Sequence, residues 1–499
     1  MTSRKSPMLK TLAGVLAFTS ATMWTLPLYA ADLPAGYEAV AGSSTYEVSA
    51  DGTTGTLTAT DTATIGQWDQ GFNIGSGFTF NALLPADGVH LSRDITSNPS
   101  EIFGSLNVPQ GKFFLVNTSG IYFGPSAQVN AAGLVASTLD MQNQDFLNGK
   151  YLFSQGANPS SIINEGTLNF GANGGALLGG SVKNTGIITA KESTLALASG
   201  KEMTLSFDNA GMLSVLVDQG VDQKVTQTDG TTATDGVVNK GILKADGGKV
   251  VMTTEAANDI FDNLVNNEGI VEAQSIGSKN GEIVLSSKTS SGIVKNSGTL
   301  DASGKDAGET GGKVVMEGEK VGLMDGAKVD VSGDQGGGTV NIGGGFQGGD
   351  AGVRNAQYTY IGTGSSVKAD ALTGGNGGDV VIWSDNTTRF YGDVTSLGGA
   401  LSGNGGNAEI SGKGALEYRG DVDLSSVNGL SGTLLLDPDT IVIQGGAALP
   451  DDTQLSDNQI LFGDGGAGTY TISEVKLETI NANILLQATN RIYTTGTFN

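Results

Sequence analysis

The sequence predicts an all-β fold, a solenoid of short strands, and two observations carry that prediction. One is a motif, Asn-x-Gly followed by a short strand, that recurs through the middle of the chain. The other is composition: 78 glycines in 499 residues, with 16% charged and 38% hydrophobic residues. This apolar content is enough for a core, while so much glycine is not typical of a helical or α/β enzyme.

The recurring motif sets the period. Its asparagines are 20, 55, 28 and 29 residues apart, and a looser copy at Asn209 divides the interval of 55 into about two units. Periods of 20 to 30 residues made of strands and turns are typical of solenoids; a β-sandwich is the alternative. We expect left-handed backbone at each corner and stacked, hydrogen-bonded amides. The predicted structural turns are at Asn164, Asn184, Asn239, Asn267 and Asn296.

The amino terminus predicts export. Basic residues precede an apolar run, Leu12 to Leu28, and Ala30 offers a small residue for cleavage, so residues 1–30 are expected to be a signal peptide. The alternative is a membrane anchor, but the run is short of the roughly 20 residues that a span requires. With no second such run, the mature chain is expected to have no stable transmembrane segment.

The net charge, the absence of cysteine and the single histidine argue against several classes of function. A net charge of −24 argues against nucleic acid as a partner. Cysteine is absent and there is one histidine, His90, so a His-based metal site or a Ser-His-Asp machine is not expected. We predict no cofactor and no metal, and place His90 at the surface, at a strand end.

Residues 98–139 are the most informative stretch. Apolar strands of five or six residues alternate there with Asn/Pro/Ser/Gly turns, a pattern of short strands folded tightly back on themselves. The stretch resembles the haemagglutination-activity, or two-partner-secretion, domain at the start of filamentous haemagglutinin-like exoproteins. Segments around Phe72-Asn-Ile-Gly75 and Gly432-Thr-Leu-Leu-Leu-Asp-Pro438 extend the resemblance along the chain.

The resemblance implies a fold, an organisation and a route. The fold is a right-handed parallel β-helix with an N-terminal cap and extra-helical hairpins. Residues 31–290 are expected to be the secretion domain, and 291–499 to continue as glycine-rich β-helical repeats, with truncation at the C-terminus left open. The route is the Sec machinery, the periplasm and a cognate outer-membrane β-barrel transporter with periplasmic domains. The product is secreted or lies on the surface of a Gram-negative bacterium.

The same resemblance implies the recognition residues. The family's Asn-Pro-Asn-Gly turn reads Asn117-Thr-Ser-Gly120 here, and Arg93 is followed by Asp94 instead of an apolar residue. The local alternative is a structural hairpin or corner without a recognition role. The residues expected to contact the transporter are Asn98, Pro99, Asn117, Thr118, Ser119 and Gly120.

Three further motifs favour structural interpretations. Gly374–Asp379 resembles one calcium-binding nonapeptide, but the unit does not recur in register. Gly343–Gly349 has no Lys-Ser/Thr after it and is predicted to be a loop. Asp437 and Asp439 flank a proline, which favours a turn over a carboxylate pair for glycosidic cleavage.

Three function classes remain. The leading one is a non-enzymatic exoprotein or adhesin that presents a binding surface to host cells, bacteria or matrix, an expectation taken from the resemblance. The second is a stalk for a C-terminal contact-dependent toxin. The third is a polysaccharide-active enzyme, which acids clustered on one solenoid face would favour.

Overall fold

The computed structural model describes residues 33–208, 212–444, 471–473 and 477–495. They form a right-handed parallel β-helix, so the predicted fold class is confirmed and the β-sandwich alternative is wrong. The predicted signal peptide, residues 1–30, lies outside the described residues. Within these ranges no helix combines the length and the apolar character that crossing a membrane requires.

Three long sheets build the helix. A full coil runs from sheet 1 to sheet 2, then to sheet 3, and back to sheet 1. Sheet 1 contains, in spatial order, β1 (Tyr37–Ala41), β4 (Ala63–Trp68), β6 (Val89–Asp94), β9 (Lys112–Val116), β12 (Leu134–Ser137), β17 (Gly175–Gly179), β20 (Thr194–Ser199), β25 (Lys249–Thr254), β28 (Glu282–Ser286), β31 (Lys313–Glu317), β34 (Thr339–Ile342), β37 (Asp379–Ser384), β40 (Asn407–Gly412), β43 (Thr433–Leu436) and β46 (Asn483–Leu486).

Sheets 2 and 3 repeat the same order along the stack. Sheet 2 contains β7 (Ser100–Ile102), β10 (Ile121–Phe123), β15 (Ser161–Asn164), β18 (Ser181–Asn184), β23 (Asp235–Asn239), β26 (Asn263–Asn267), β29 (Ile293–Asn296), β32 (Lys320–Leu323), β35 (Tyr358–Ile361), β38 (Thr387–Phe390) and β41 (Ala415–Tyr418). Sheet 3 contains β2 (Ser44–Val48), β3 (Thr54–Ala59), β5 (Thr79–Leu83), β8 (Ser105–Val108), β11 (Gln128–Ala131), β16 (Thr167–Phe170), β19 (Ile187–Ala190), β24 (Ile242–Lys244), β27 (Ile270–Glu272), β30 (Thr299–Asp301), β33 (Lys328–Asp330), β36 (Ser366–Lys368), β39 (Asp393–Thr395) and β42 (Asp421–Asp423).

The core is a set of stacked apolar columns inside the coils. Alternate residues of each strand point inward, and equivalent positions in successive coils lie in register. In sheet 1, one such column consists of buried β-branched residues that pair directly from coil to coil. Its members include Val250, Ile283, Val314, Val340 and Val380.

The first coil is closed by an antiparallel cap. Strand β1 pairs antiparallel with β4, and β2 pairs antiparallel with β3. Aromatic rings fill the interior below: Trp68 lies 4.8 Å from both Tyr37 and Tyr46, between ring centroids. Strands of opposite direction and a plug of rings thus end the stack on this side.

Two small sheets lie outside the three long ones. Sheet 4 is antiparallel and packs, with the short helix α1 (Asn143–Leu147), on the outer face of sheet 1 through Phe146 and Phe153. Its strands are β13 (Leu139–Asp140), β14 (Tyr151–Gln155), β21 (Glu202–Phe207) and β22 (Leu213–Gln219). Sheet 5 is parallel, with strands β45 (Thr471–Ser473), β44 (Thr440–Gln444) and β47 (Arg491–Thr495).

Candidate functional site

The Asn117 turn is a corner of the helix. It joins β9 of sheet 1 to β10 of sheet 2, so these strands do not fold back on each other as a hairpin, and that expectation is wrong. The Asn117 Oδ1 accepts the Ser119 backbone N–H at 2.8 Å. Gly120 has φ of +125°, a conformation that glycine adopts at least cost. A polar side chain and a permissive glycine therefore turn the chain between two buried strands.

The Asn117 side chain also holds the preceding turn. It is fully buried, and its Nδ2 donates to the Asn98 carbonyl oxygen at 2.9 Å and to the Ser100 Oγ at 3.0 Å. The Ser100 N–H donates to the Gly120 carbonyl oxygen at 3.0 Å. The two turns are one hydrogen-bonded unit, and the Asn117 amide is enclosed within it.

Asp94 anchors this unit from the coil below. One carboxylate oxygen, Oδ2, accepts the Phe72 N–H and the Ser100 Oγ–H, both at 2.8 Å. The other, Oδ1, accepts the Thr96 N–H at 2.9 Å and its hydroxyl at 2.7 Å. Asp94 is buried, so its charge is balanced by four donors. In the sequence, this residue stands out only as a departure from the family pattern.

Two later segments of the chain pack against the corner formed by these two turns. The Ser160 hydroxyl donates to the Thr118 carbonyl oxygen at 2.7 Å, and Ser160 pairs in parallel with Thr226. A Cβ placed on Gly120 would lie 2.9 Å from the Thr228 Cγ2, so this corner accepts only glycine without a shift of its neighbour. Segments far apart in sequence thus meet at one corner of the stack.

The structure brings all six predicted residues together but exposes only four. Asn98 is exposed, and Pro99, Thr118 and Ser119 are partly exposed; we call these four the turn surface. Asn117 and Gly120 are buried beneath them. None of the four carries a charge, so the turn surface offers hydroxyl, amide and backbone groups to a partner and no obvious acid–base chemistry.

The five predicted structural turns form a single ladder of amides. The Nδ2 of each of the first four asparagines donates to the Oδ1 of the next, at 2.7 to 2.8 Å. The Nδ2 of all five also donates to the carbonyl oxygen of the residue two positions on. Asn184 and Asn239 lie in adjacent coils, so the interval of 55 residues is one coil with sheet 4 strands inserted, and its division into two units is wrong. Asn209 lies outside the described residues. The ladder consists of Asn164, Asn184, Asn239, Asn267 and Asn296.

The glycine of each Asn-x-Gly motif is required for a different reason from the one expected. None of these five glycines has positive φ, so the predicted left-handed corner is wrong. A Cβ on Gly269 would instead lie 2.2 Å from the Gly241 carbonyl oxygen, and one on Gly298 would lie 2.0 Å from that of Gly269. Backbones of successive coils approach too closely for a side chain, and we call this stack the glycine column.

His90 is interior, not at the surface, and that expectation is wrong. It is fully buried in the second coil of sheet 1, where its ring stacks on Phe113 and its Nδ1 lies 2.8 Å from the Thr64 Oγ1. Burial lowers the pKa of His90 to about 3. The Nε2 has no hydrogen-bond partner among the described residues, which fits a neutral ring.

Acidic side chains gather on one face of the later coils. Asp385, Asp437 and Asp439 line, together with Lys413, a cavity of about 290 Å³ beneath the glycine-rich loop, which contains a short 3₁₀ helix, Phe346–Gly348. Nearby, burial raises the pKa of Glu409 to about 7. Within the described ranges, no three His, Cys, Asp or Glu side chains converge as a metal site would require.

A parallel β-helix with a capped first coil, an extra-helical sheet and stacked turns places the protein in the class of β-solenoids. The family model for the TPS secretion domain matches residues 39–302, and the chain belongs to this family. Such a domain marks a substrate of two-partner secretion, exported through a cognate outer-membrane transporter. The predicted resemblance is therefore confirmed.

The relatives agree with this assignment. Two heme/hemopexin-binding proteins of Haemophilus influenzae, one from strain Rd, are 26% and 28% identical over 279 and 283 residues, which are 51% and 54% of this chain. The matched part spans only 28% and 29% of their lengths. The crystal structure of the HMW1 secretion domain from Haemophilus influenzae has a TM-score of 0.65 and 25% identity, covering 81% of this chain and all of that one.

Proposed function

We propose that the turn surface is the part of the folded secretion domain that the cognate transporter contacts. The observation that carries this proposal is the arrangement of Asn98, Pro99, Thr118 and Ser119 on one exposed corner inside the matched family region. Asn117 and Gly120 act beneath it: one holds the two turns together and the other allows the corner. The recognition role is thus divided between contacting and positioning residues.

We further propose that the chain is an adhesin, secreted or surface-exposed on a Gram-negative bacterium after passing Sec and the periplasm. Residues 1–30 would be the signal peptide, 31–290 the secretion domain and 291–499 the presenting repeats. The asparagine ladder ends at Asn296, close to this division. Receptors on host cells, bacteria or matrix would bind the later coils. A stalk for a C-terminal toxin and a polysaccharide-active enzyme remain the alternatives.

The relatives' name raises heme or hemopexin as ligands. Their likeness to this chain covers only 28% and 29% of their own lengths, so it does not carry a shared ligand to this chain. The one histidine of the chain, His90, is fully buried and therefore not accessible as a ligand for a heme iron, and cysteine is absent. We therefore do not extend heme binding to this chain.

Export of a shortened chain tests the proposal. Strand β33 ends at Asp330, so a chain ending there keeps whole coils and the complete matched region. With its cognate transporter, this fragment should reach the medium, whereas removal of residues 1–30 should keep the protein in the cytoplasm. Periplasmic retention of the shortened chain, folded and intact, would place essential export information beyond residue 330.

A further inference from the structure

The later coils carry a polar groove that the secretion function does not use. It has a volume of about 780 Å³ and lies where three stacked corner loops lead from sheet 3 into sheet 1. Asn376 and Asn404 line it from the loops, and Asn407, Thr433 and Asn483 line it from the strand starts. All of these residues follow residue 302, where the family match ends.

The loops that form the groove are held by backbone contacts. The Ala400 and Leu401 N–H groups donate to the carbonyl oxygens of Leu372 and Thr373, at 3.2 and 2.8 Å. A Cβ on Gly403 would lie 1.7 Å from the Gly375 carbonyl oxygen. Such close stacking fixes the loops, so side chains on them are presented with little ordering cost to a ligand.

The groove keeps unused hydrogen-bonding atoms of both kinds. The Oδ1 atoms of Asn376 and Asn404 accept backbone N–H groups of the next loop, at 2.8 and 2.9 Å, and their NH₂ groups make no hydrogen bond to described residues. Asn407 and Asn483 are reversed. Their NH₂ groups donate to Asp379 and to the Ser431 carbonyl oxygen, and neither Oδ1 accepts a hydrogen bond from a described residue. Donors and acceptors therefore alternate within one cavity.

Exposed aliphatic residues lie on the loops that form the groove, and one of them, Leu430, lines it. Leu401, Val427 and Leu430 are 75%, 85% and 75% exposed, the highest values of any large hydrophobic residue in the described ranges. Leu372, on the first loop, is 42% exposed. These aliphatic side chains lie on three adjacent loops, and clustered exposed apolar residues mark interaction sites more often than single ones do.

We propose that this groove binds an uncharged polyhydroxylated ligand, a neutral glycan. Each sugar hydroxyl both donates and accepts, so it matches a cavity with free NH₂ and free carbonyl groups. The apolar C–H face of a sugar ring can pack against Leu430. Among the described residues that line the groove, Asp379 alone carries a charge, and its Oδ1 accepts a hydrogen bond from the Asn407 NH₂ group, which disfavours an anionic ligand.

The inference rests on the proposed role of the exported chain as a binding protein, and it names the ligand class. The test uses the purified full-length mature chain on an array of neutral and charged oligosaccharides, followed by calorimetry with the best neutral oligosaccharide. Thr433→Val with Asn407→Ala should weaken binding at least tenfold, and Leu430→Ser should also weaken it. Asn130→Ala removes an exposed asparagine from sheet 3, away from the groove, and should leave binding unchanged.

Each outcome is decisive because folding is checked by circular dichroism and melting temperature. Binding of no neutral glycan, binding that the groove variants do not change, or equal binding of unglycosylated peptides would overturn the glycan site. If the groove variants still bind cells as the parent does, the adhesin proposal stands and the proposal that the groove is the binding site is wrong. If the parent chain itself binds neither cells nor matrix, the adhesin proposal fails first.

Discussion

The Asn117 Nδ2 donates to the Asn98 carbonyl oxygen at 2.9 Å, across two successive coils. The bond joins an enclosed amide to an exposed turn, so one residue determines the shape of a surface that it does not itself reach. Variants at the two positions should therefore have different effects, and the difference separates recognition from folding.

Asn98→Ala should reduce export without changing the melting temperature. Its side chain makes no hydrogen bond to described residues and is exposed, so the loss is one of surface chemistry. Export into the medium and thermal unfolding of the purified domain are the two measurements. Unchanged export would mean that the transporter does not contact the Asn98 side chain.

Asn117→Ala should reduce both export and stability. The substitution removes three hydrogen bonds, to Asn98, Ser100 and Ser119, inside a buried corner, and we expect a loss of about 1 to 3 kcal/mol. Denaturant unfolding of the secretion domain measures it. If stability is unaffected, the buried network does not contribute as the geometry indicates; if export is normal despite the loss, the corner has only a structural role.

Gly269→Ala should destabilise the stack by about 1 to 3 kcal/mol, because the new methyl group meets the Gly241 carbonyl oxygen. Gly156→Ala is the matched control: its Cβ would have no neighbour closer than 3.8 Å, and its φ is not positive. Urea unfolding should separate the two variants. Equal midpoints would mean that the coils move apart freely at the glycine column.

Asn239→Ala should cost more than Asn296→Ala. Asn239 is in the middle of the ladder, and its loss leaves Asn184 without its ladder acceptor and Asn267 without its ladder donor. Asn296 is the last member, so its removal affects one neighbour only. Buried groups left unpaired cost about 1 to 3 kcal/mol each. The reverse order of unfolding midpoints would contradict a cooperative ladder.

His90 should make the domain less stable in acid. Its folded pKa is about 3, against 6.5 in the unfolded chain, so the unfolded state binds more protons between these values. The contribution is complete above pH 6.5 and declines as pH falls towards 3, by at most about 1.4 kcal/mol per pH unit.

The matched variant for this test is His90→Gln, which should unfold with a weaker dependence on pH over that range. The raised pKa of Glu409 acts in the opposite direction, since its contribution is present below 4.5 and is lost as pH rises through about 7. Urea unfolding of parent and variant at several pH values isolates His90. Parallel pH profiles would show that His90 is not neutral in the folded domain.

The sequence predicts which residues stack from coil to coil, but it predicts less well whether their side chains are buried or exposed. The spacing of the Asn-x-Gly motif identified the corner asparagines, because a period is visible without coordinates. The burial of His90 and Asp94 was missed, since both lie in strand β6 of an early coil outside the regular motif. Asp94 is bound partly by the nearby residues Thr96 and Ser100. Its bond to Phe72, like the contact of His90 with Thr64, comes from a neighbouring coil, and local sequence does not reveal such a contact.

The pattern of intervals within the ladder could be interpreted correctly only with the structure. Asn184 and Asn239 differ by 55 positions yet are direct partners, because strands β21 and β22 leave the helix between them. An excursion of this length looks like an additional repeat when only spacing is counted. The sequence also does not reveal the groove of the later coils, because its asparagines lie in glycine-rich corners whose clearest resemblance is to a calcium-binding motif.

The glycine column makes the coil, not the residue, the unit in which this region can change length. A new coil that carries the same corner leaves every glycine facing a carbonyl oxygen, whereas a single added methyl group forces two backbones apart. Extra residues are accommodated between corners, as the excursion between Asn184 and Asn239 demonstrates. Growth by duplication of whole coils, with decoration in the connecting loops, is the form of variation that this architecture tolerates.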